Sequence, residues 1–224
     1  MRTLFLTGAS GDIGRTIAEE FLGNGFQVIS PTKQELNLEN CEEIQEYIKV
    51  HKVECEALIH CAGFNEPKVL PSLPLADIQK TMNINCLSFI AMVKALSEQM
   101  KEKKYGRIVA VSSLYGHIAR SGRMAYVSSK HALNGAMKTM ACELGFYNIL
   151  VNSLSPGLID TKLTRRNNSP ETIKRFEEKI PLKRLGLPEE VAKLAYFLCS
   201  SENSYITGQD IILDGGFMAS GGQD

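Results

Sequence analysis

The chain has 224 residues, 44% of them hydrophobic, and 25 lysines plus arginines balance 25 aspartates plus glutamates. That length suits one α/β unit with a large core and needs no second domain, and the balanced charge leaves no basic surplus to draw nucleic acid or an anionic membrane. Met1-Arg2 runs directly into a strand-like segment without a signal-peptide pattern, and no apolar run approaches the length of a membrane span. The expectation is a cytoplasmic protein whose partner is a small molecule. Its cysteines, at positions 41, 55, 61, 86, 142 and 199, include no Cys-x-x-Cys pair, so neither a metal site nor a disulfide framework is expected.

In chain order, strand-like runs at 2–7, 26–30, 57–61, 107–113, 148–154 and 210–214 alternate with helix-length amphipathic segments near 13–23, 40–51, 75–103, 124–146 and 188–200. Such alternation predicts an α/β protein with a parallel sheet covered on both faces. The first strand leads into Thr7-Gly8-Ala9-Ser10-Gly11-Asp12-Ile13-Gly14 and then an amphipathic helix. Glycines there permit a tight turn and close approach to a pyrophosphate, which the helix N-terminus attracts. Only Ser30 to Glu39 separates the second strand from the next helix. That is too short for the usual helix and third strand, so both are expected to be shortened or missing, with Leu36-Asn37-Leu38 at most a stub. Thr32 and Lys33 close the second strand, where a residue selects between a free ribose hydroxyl and a 2′-phosphate. A hydroxyl and a cation donate to phosphate, which favours NADP(H) and leaves NAD(H) possible.

The run Ile108-Val109-Ala110-Val111-Ser112-Ser113 predicts a buried strand that delivers a hydroxyl thirteen residues before Tyr126. Tyr126 and Lys130 are four apart on one helix, hence on one face. A cation beside a phenol favours its ionised form, so Tyr126 is the candidate general acid/base near neutral pH. The polar stretch 158–187, with a helix-like core at 170–179, is read as a lid over the substrate.

The glycine turn, the spacing of Ser113, Tyr126 and Lys130, the loop Asn152-Ser153-Leu154-Ser155-Pro156-Gly157-Leu158-Ile159-Asp160-Thr161 and the closing Tyr205-Ile206-Thr207-Gly208-Gln209 and Asp214-Gly215-Gly216 resemble the short-chain dehydrogenase/reductase family. The likeness covers nearly the whole chain and is greatest to the 3-oxoacyl-carrier-protein reductase-like branch. It implies a Rossmann-type doubly wound sheet and hydride transfer between nicotinamide and a carbonyl or secondary alcohol, with reduction of a keto group preferred. By the resemblance Ser113 orients the substrate oxygen, Lys130 also holds the nicotinamide ribose, and Asn85, in Asn85-Cys86-Leu87-Ser88, anchors a water linking Lys130 to solvent. It also implies cofactor contacts from Gly8, Ser10, Asp12, Ile13, Gly14, Thr32, Lys33, Asn37, Leu38, Cys61, Ala62, Gly63, Tyr126, Lys130, Pro156, Gly157, Ile159 and Thr161. Finally, it implies a homo-oligomer, a tetramer or dimer, in which helices around 82–100 and 124–146 pair.

Three departures stand out. Asp12 occupies the place of the family's second glycine, and the register Thr-Gly-x-x-Gly-x-x-Gly is that of the longer sugar-nucleotide enzymes, although too little chain follows Gly157 for their substrate domain. The second is the short Ser30 to Glu39 connection. The third is His60-Cys61-Ala62-Gly63 in place of Asn-Asn-Ala-Gly, where His60 is read as a satisfied core residue. A cofactor-binding regulator without turnover is the other alternative; it would be signalled by loss of Tyr126 or Lys130, and both are present. Arg120 and Arg123 beside Tyr115 and His117, with Arg165 and Arg166 on the lid, leave open whether the substrate carries an anionic group.

Overall fold

Strands whose every side chain is buried belong at the centre of a sheet covered on both faces. Three segments meet that description: β3 (Ala57–His60), β4 (Gly106–Val111) and β5 (Ile149–Pro156). In the computed structural model, which describes residues 2–221, they join β1 (Thr3–Thr7), β2 (Gln27–Ile29) and β6 (Asp210–Leu213) in one six-stranded sheet. All pairs are parallel, in the order β2-β1-β3-β4-β5-β6.

The period of two sends alternate residues to two cores. Phe5, Leu58, Ile108, Ala110 and Val151 pack with α2 (Cys41–Val50), α4 (Ser88–Lys103) and α5 (Met124–Leu144). Leu4, Leu6, Ala57, Ile59, Val109 and Val111 pack with α1 (Asp12–Gly23) and α8 (Pro188–Cys199). The carboxyl ends of the strands therefore open together on one edge, where ligands of doubly wound sheets sit.

The third strand and its helix are absent, and Leu36-Asn37-Leu38 is not even a stub. The amides of Glu35 and Leu36 donate to Thr32 O at 3.1 and 3.0 Å, and the Asn37 side chain accepts from Glu39 N at 3.1 Å. These local bonds close turns that leave no extended backbone to pair. Hence β2 is the sheet edge.

The long helix expected at 75–103 is interrupted. α3 (Leu75–Met82) passes into a π turn, Asn83–Leu87, before α4 continues. Ser88 Oγ, at the start of α4, donates back to Ile84 O in that turn at 2.7 Å. The 158–187 stretch contains α7 (Pro170–Lys179), as the helix-like core there predicted, and also α6 (Lys162–Asn167), which was not foreseen. Thr161 and Ser169 cap them, accepting from Thr164 N at 3.1 Å and Thr172 N at 3.3 Å. Among the described residues no helix is long and apolar enough to cross a membrane.

Candidate active site

The turn after β1 requires its glycines. Gly8 has φ +80°, and a Cβ there would lie 2.5 Å from Ala62 N; one at Gly14 would lie 2.1 Å from Gly8 O. Backbone therefore touches backbone at both places, bringing the start of α1 against the end of β3. Gly11 is the N-cap and offers no side chain to the first-turn amides, which stay available to an anion. Above this turn lies a cleft of about 600 Å³ walled by residues 7–11, 30–33, 36–39 and 61–64 together with Ile84.

Of the expected cofactor contacts, Gly8, Ser10, Thr32, Lys33, Asn37, Leu38, Cys61, Ala62 and Gly63 line that cleft. Asp12, Ile13 and Gly14 lie in the first turn of α1 rather than on its wall, and the Asp12 carboxylate accepts from Lys162 N at 2.6 Å. Pro156 ends β5 and Gly157 follows it, both outside that wall. Ile159 is 5% exposed and packs in the core beside them. The Thr161 hydroxyl is spent capping α6. Leu36, Glu39, Phe64 and Ile84 line the cleft unforeseen. Glu39 is held there by Asn83, whose Nδ2 donates to Glu39 O at 2.9 Å.

His60 lies fully buried in the floor, with Nδ1 2.8 Å from Thr7 Oγ1 and Nε2 3.1 Å from Ile84 O. A carbonyl only accepts, so Nε2 carries the hydrogen and Thr7 donates to Nδ1. Burial lowers its pKa from 6.5 to about 3, with the nearby Lys130 charge acting in the same direction. It is a neutral structural link between β1, β3 and the π turn.

Ser113 leaves β4 and caps the turn Leu114–Gly116, its Oγ accepting from Tyr115 N at 3.3 Å. Tyr126 reaches from α5 to the turn that Ser113 caps, its ring meeting Tyr115 edge-on at 6.1 Å between centroids. Lys130 is 2% exposed; its Nζ donates to Val111 O at 2.8 Å and lies 5.5 Å from the Tyr126 ring centroid. The depressed phenol expected from the pairing is not what this geometry produces. The ammonium is turned to the Val111 carbonyl, and burial raises the Tyr126 pKa against the opposing effects of Ser113 and Arg123. Burial likewise lowers Lys130 from 10.5 to about 8.

Asn85 is buried in the π turn, and both ends of its side-chain amide are engaged. Nδ2 donates to Phe64 O and Ser129 Oγ, both at 2.9 Å, and Oδ1 accepts from Phe64 N at 2.7 Å. That clasp joins the Cys61 to Phe64 wall to α5 and leaves Oδ1 one further lone pair with which to accept from a water. A Cβ on Gly63 would stand 3.8 Å from Asn85 Oδ1 and 4.0 Å from Lys130 Nζ, so Gly63, Asn85 and Lys130 converge.

Residues 37–218 match the family model described as Enoyl-(Acyl carrier protein) reductase. The 3-oxoacyl-[acyl-carrier-protein] reductase FabG of Buchnera aphidicola is 33% identical over 96% of this chain and 96% of its own. The FabG of Aquifex aeolicus is 34% identical over 96% of this chain and 87% of its own. Among solved structures, 4-hydroxyisoleucine dehydrogenase complexed with NADH superposes with a TM-score of 0.91 at 29% identity, covering 98% of this chain and 99% of that one. The chain belongs to the short-chain dehydrogenase/reductase family. It is an oxidoreductase with that family's Rossmann-type fold.

Within this family member the arginines divide. Arg165 is already paired with Asp160 through two bonds of 2.6 and 2.5 Å, and Arg120 donates to Tyr115 Oη at 3.1 Å. The six cysteines are all free thiols: Cys55, Cys86 and Cys199 are buried, Cys41 and Cys61 half-buried, and Cys142 exposed.

Proposed function

We propose that this reductase-like enzyme reduces a keto group with a nicotinamide dinucleotide, NADP(H) ahead of NAD(H), using Tyr126 as the acid. The observation that carries the reading is the convergence of Tyr126, whose ring meets Tyr115 on the turn that Ser113 caps, with the buried Lys130, its Nζ 5.5 Å from the Tyr126 ring centroid, next to a glycine-turn cleft. When bound, the cofactor supplies the hydride; Gly8, Ser10, Thr32, Lys33, Asn37, Leu38 and residues 61–63 would hold its adenosine and pyrophosphate portions. The raised pKa keeps Tyr126 protonated at neutral pH, which is the form that donates to a carbonyl oxygen. Ser113, which caps the turn that meets the Tyr126 ring, orients the same oxygen. As the proton leaves, the Lys130 ammonium stabilises the phenolate, and this support falls away as pH rises through about 8. Asn85 contributes rigidity, holding Phe64 and α5 in one unit.

The remaining expectations extend this reading: a single domain whose 158–187 segment acts as a lid, a cytoplasmic location, and a tetramer or dimer formed through α4 and α5. The FabG relatives point to 3-oxoacyl thioesters as substrates, and the 4-hydroxyisoleucine dehydrogenase neighbour to small hydroxy acids as a second class. A spectrophotometric screen of NADPH and NADH oxidation against 3-oxoacyl thioesters, simple ketones, keto acids and keto sugars tests it. Turnover of at least one class is expected, and none across the panel would overturn the proposal.

A further inference from the structure

One buried carboxylate lies outside the acid/base chemistry. Asp210 opens β6, and its side chain is 4% exposed. It accepts from Asn134 Nδ2 at 2.5 Å, from Ser155 Oγ at 2.8 and 2.9 Å, and from His117 Nε2 at 2.6 Å. Those donors sit on the three segments that carry the site. Asn134 is one turn beyond Lys130 and two beyond Tyr126, on the same face of α5. His117 follows the turn that Ser113 caps, and Ser155 stands directly before Pro156 and Gly157.

A charge removed from water is costly unless several hydrogen bonds hold it, and an apolar residue at such a place is often as stable. The surroundings are polar beyond what the carboxylate itself needs: Ser112 Oγ, Ser153 Oγ and Asn134 Oδ1 are buried without a partner. Loop and helix also meet tightly, since a Cβ on Gly116 would lie 2.6 Å from Asn134 Nδ2 and 3.0 Å from Ser112 Oγ. General core packing does not require this arrangement. Fixing three segments relative to one another does.

We propose that Asp210 is a positioning residue which, through Asn134, His117 and Ser155, sets the helix bearing Tyr126 and Lys130 against the Ser113 loop and the end of β5. The proposal rests on the reading of those residues as the reductase site. Its charge has a second consequence. Cys61 just after β3, Cys86 in the π turn and Asp210 in β6 all favour the Lys130 ammonium, while the buried His60 is neutral.

The test is Asp210→Asn, compared with Asp210→Glu and His117→Ala in the full-length protein. For Asp210→Asn, kcat is expected to fall about ten- to a hundredfold, the scale of a small misplacement at a reacting centre, with the Kd for NADPH within about threefold of wild type. The alkaline limb of its pH-rate profile should move to lower pH, because the ammonium loses support, whereas Asp210→Glu should keep the limb while losing rate. A merely structural role lowers the rate at every pH without moving the limb. His117 is partly exposed, so His117→Ala should fold even if Asp210→Asn does not, and should lower kcat severalfold. Unchanged kcat and limb in Asp210→Asn, or unchanged kcat in His117→Ala should Asp210→Asn not fold, would overturn the proposal. Independently of any substrate, an NMR titration of Lys130 should give a lower pKa in Asp210→Asn than in wild type; equal values would sink the idea even if the screen found no substrate.

Discussion

The two sides of the candidate site are built to different standards. The side that carries Ser113, Tyr126 and Lys130, next to the cleft, comes from β4, β5 and α5, strands buried along their whole length and a helix whose inner face is buried. The wall from Ser30 to Glu39 is a pair of turns beyond a three-residue edge strand, and its Lys33 side chain is 77% exposed. Reaction geometry tolerates little error, so it is placed where packing and satisfied polar groups leave one arrangement. The cofactor choice proposed for Thr32 and Lys33 would rest on solvent-screened contacts, where interactions are weaker and a single substitution changes the balance.

The sharpest way to break this comparison is Tyr126→Phe. The ring should keep its edge contact with Tyr115, at 6.1 Å between centroids, while the phenolic hydroxyl is lost. General acid/base catalysis is typically worth about 10² to 10⁴-fold, so kcat should fall by that factor with cofactor affinity nearly unchanged. Steady-state rates and a cofactor fluorescence titration check both halves. A variant keeping more than about a tenth of the wild-type rate would remove Tyr126 from the chemistry.

The buried floor makes a stability prediction of smaller size. His60 is held near pKa 3 in the folded chain, against 6.5 ordinarily. The unfolded chain therefore takes up a proton as pH falls below about 6.5, while the folded chain does not until about 3, so stability is complete above that window and lost downwards through it. His60→Asn removes the loss but also gives up the links to Thr7 and Ile84. Wild type should therefore be the more stable at pH 7.5, with its advantage shrinking by about 2 to 3 kcal/mol by pH 4.5. Urea denaturation of both proteins across that range measures it, and parallel curves would mean that His60 titrates as an exposed residue does.

The same contrast explains what the sequence made legible. Alternating apolar runs and helix-period segments reported the sheet and both its cores because burial on two faces leaves continuous signals in β3, β4 and β5. The glycine turn and the spacing of Ser113, Tyr126 and Lys130 were readable because they are short-range. The π turn was not: one widened turn leaves the apolar pattern of 75–103 intact. Nor was the direction of Lys130, since spacing places two side chains on one face without deciding which acceptor the longer one takes. Glu39 and Ile84 reach the cleft through Asn83 and the π turn, contacts between distant parts of the chain that carry no local signature. α6, six residues long and polar, has too little periodicity to register.

The smallest expected effect belongs to the exposed wall, where it tests whether that wall selects the cofactor at all. Thr32 and Lys33 line the cleft, but the Thr32 amide already donates to Glu35 Oε2 at 2.8 Å, so only the hydroxyl and the lysine remain for a 2′-phosphate. Lys33 Nζ also lies 3.8 Å from Glu39 Oε1, with Lys80 Nζ 3.6 Å from the same oxygen. The lysines are matched by Glu39 and by Glu35 on the Thr32 amide, so the preference for phosphate rests on direct donation from Lys33 and the Thr32 hydroxyl and not on a net positive site. Because the lysine is so exposed, its contribution should sit at the low end of charge-assisted contacts, giving NADPH about a tenfold advantage in kcat/KM that weakens with added salt. Lys33→Ala should remove most of that advantage. Thr32→Asp should reverse it, since a carboxylate repels the phosphate and accepts from a ribose hydroxyl. The ratio of kcat/KM for NADPH and NADH in the three proteins decides the matter. If wild type prefers NADH, or if neither substitution shifts the ratio by more than about twofold, selection lies elsewhere, and Glu39 is a carboxylate lining the cleft that could bind a free ribose.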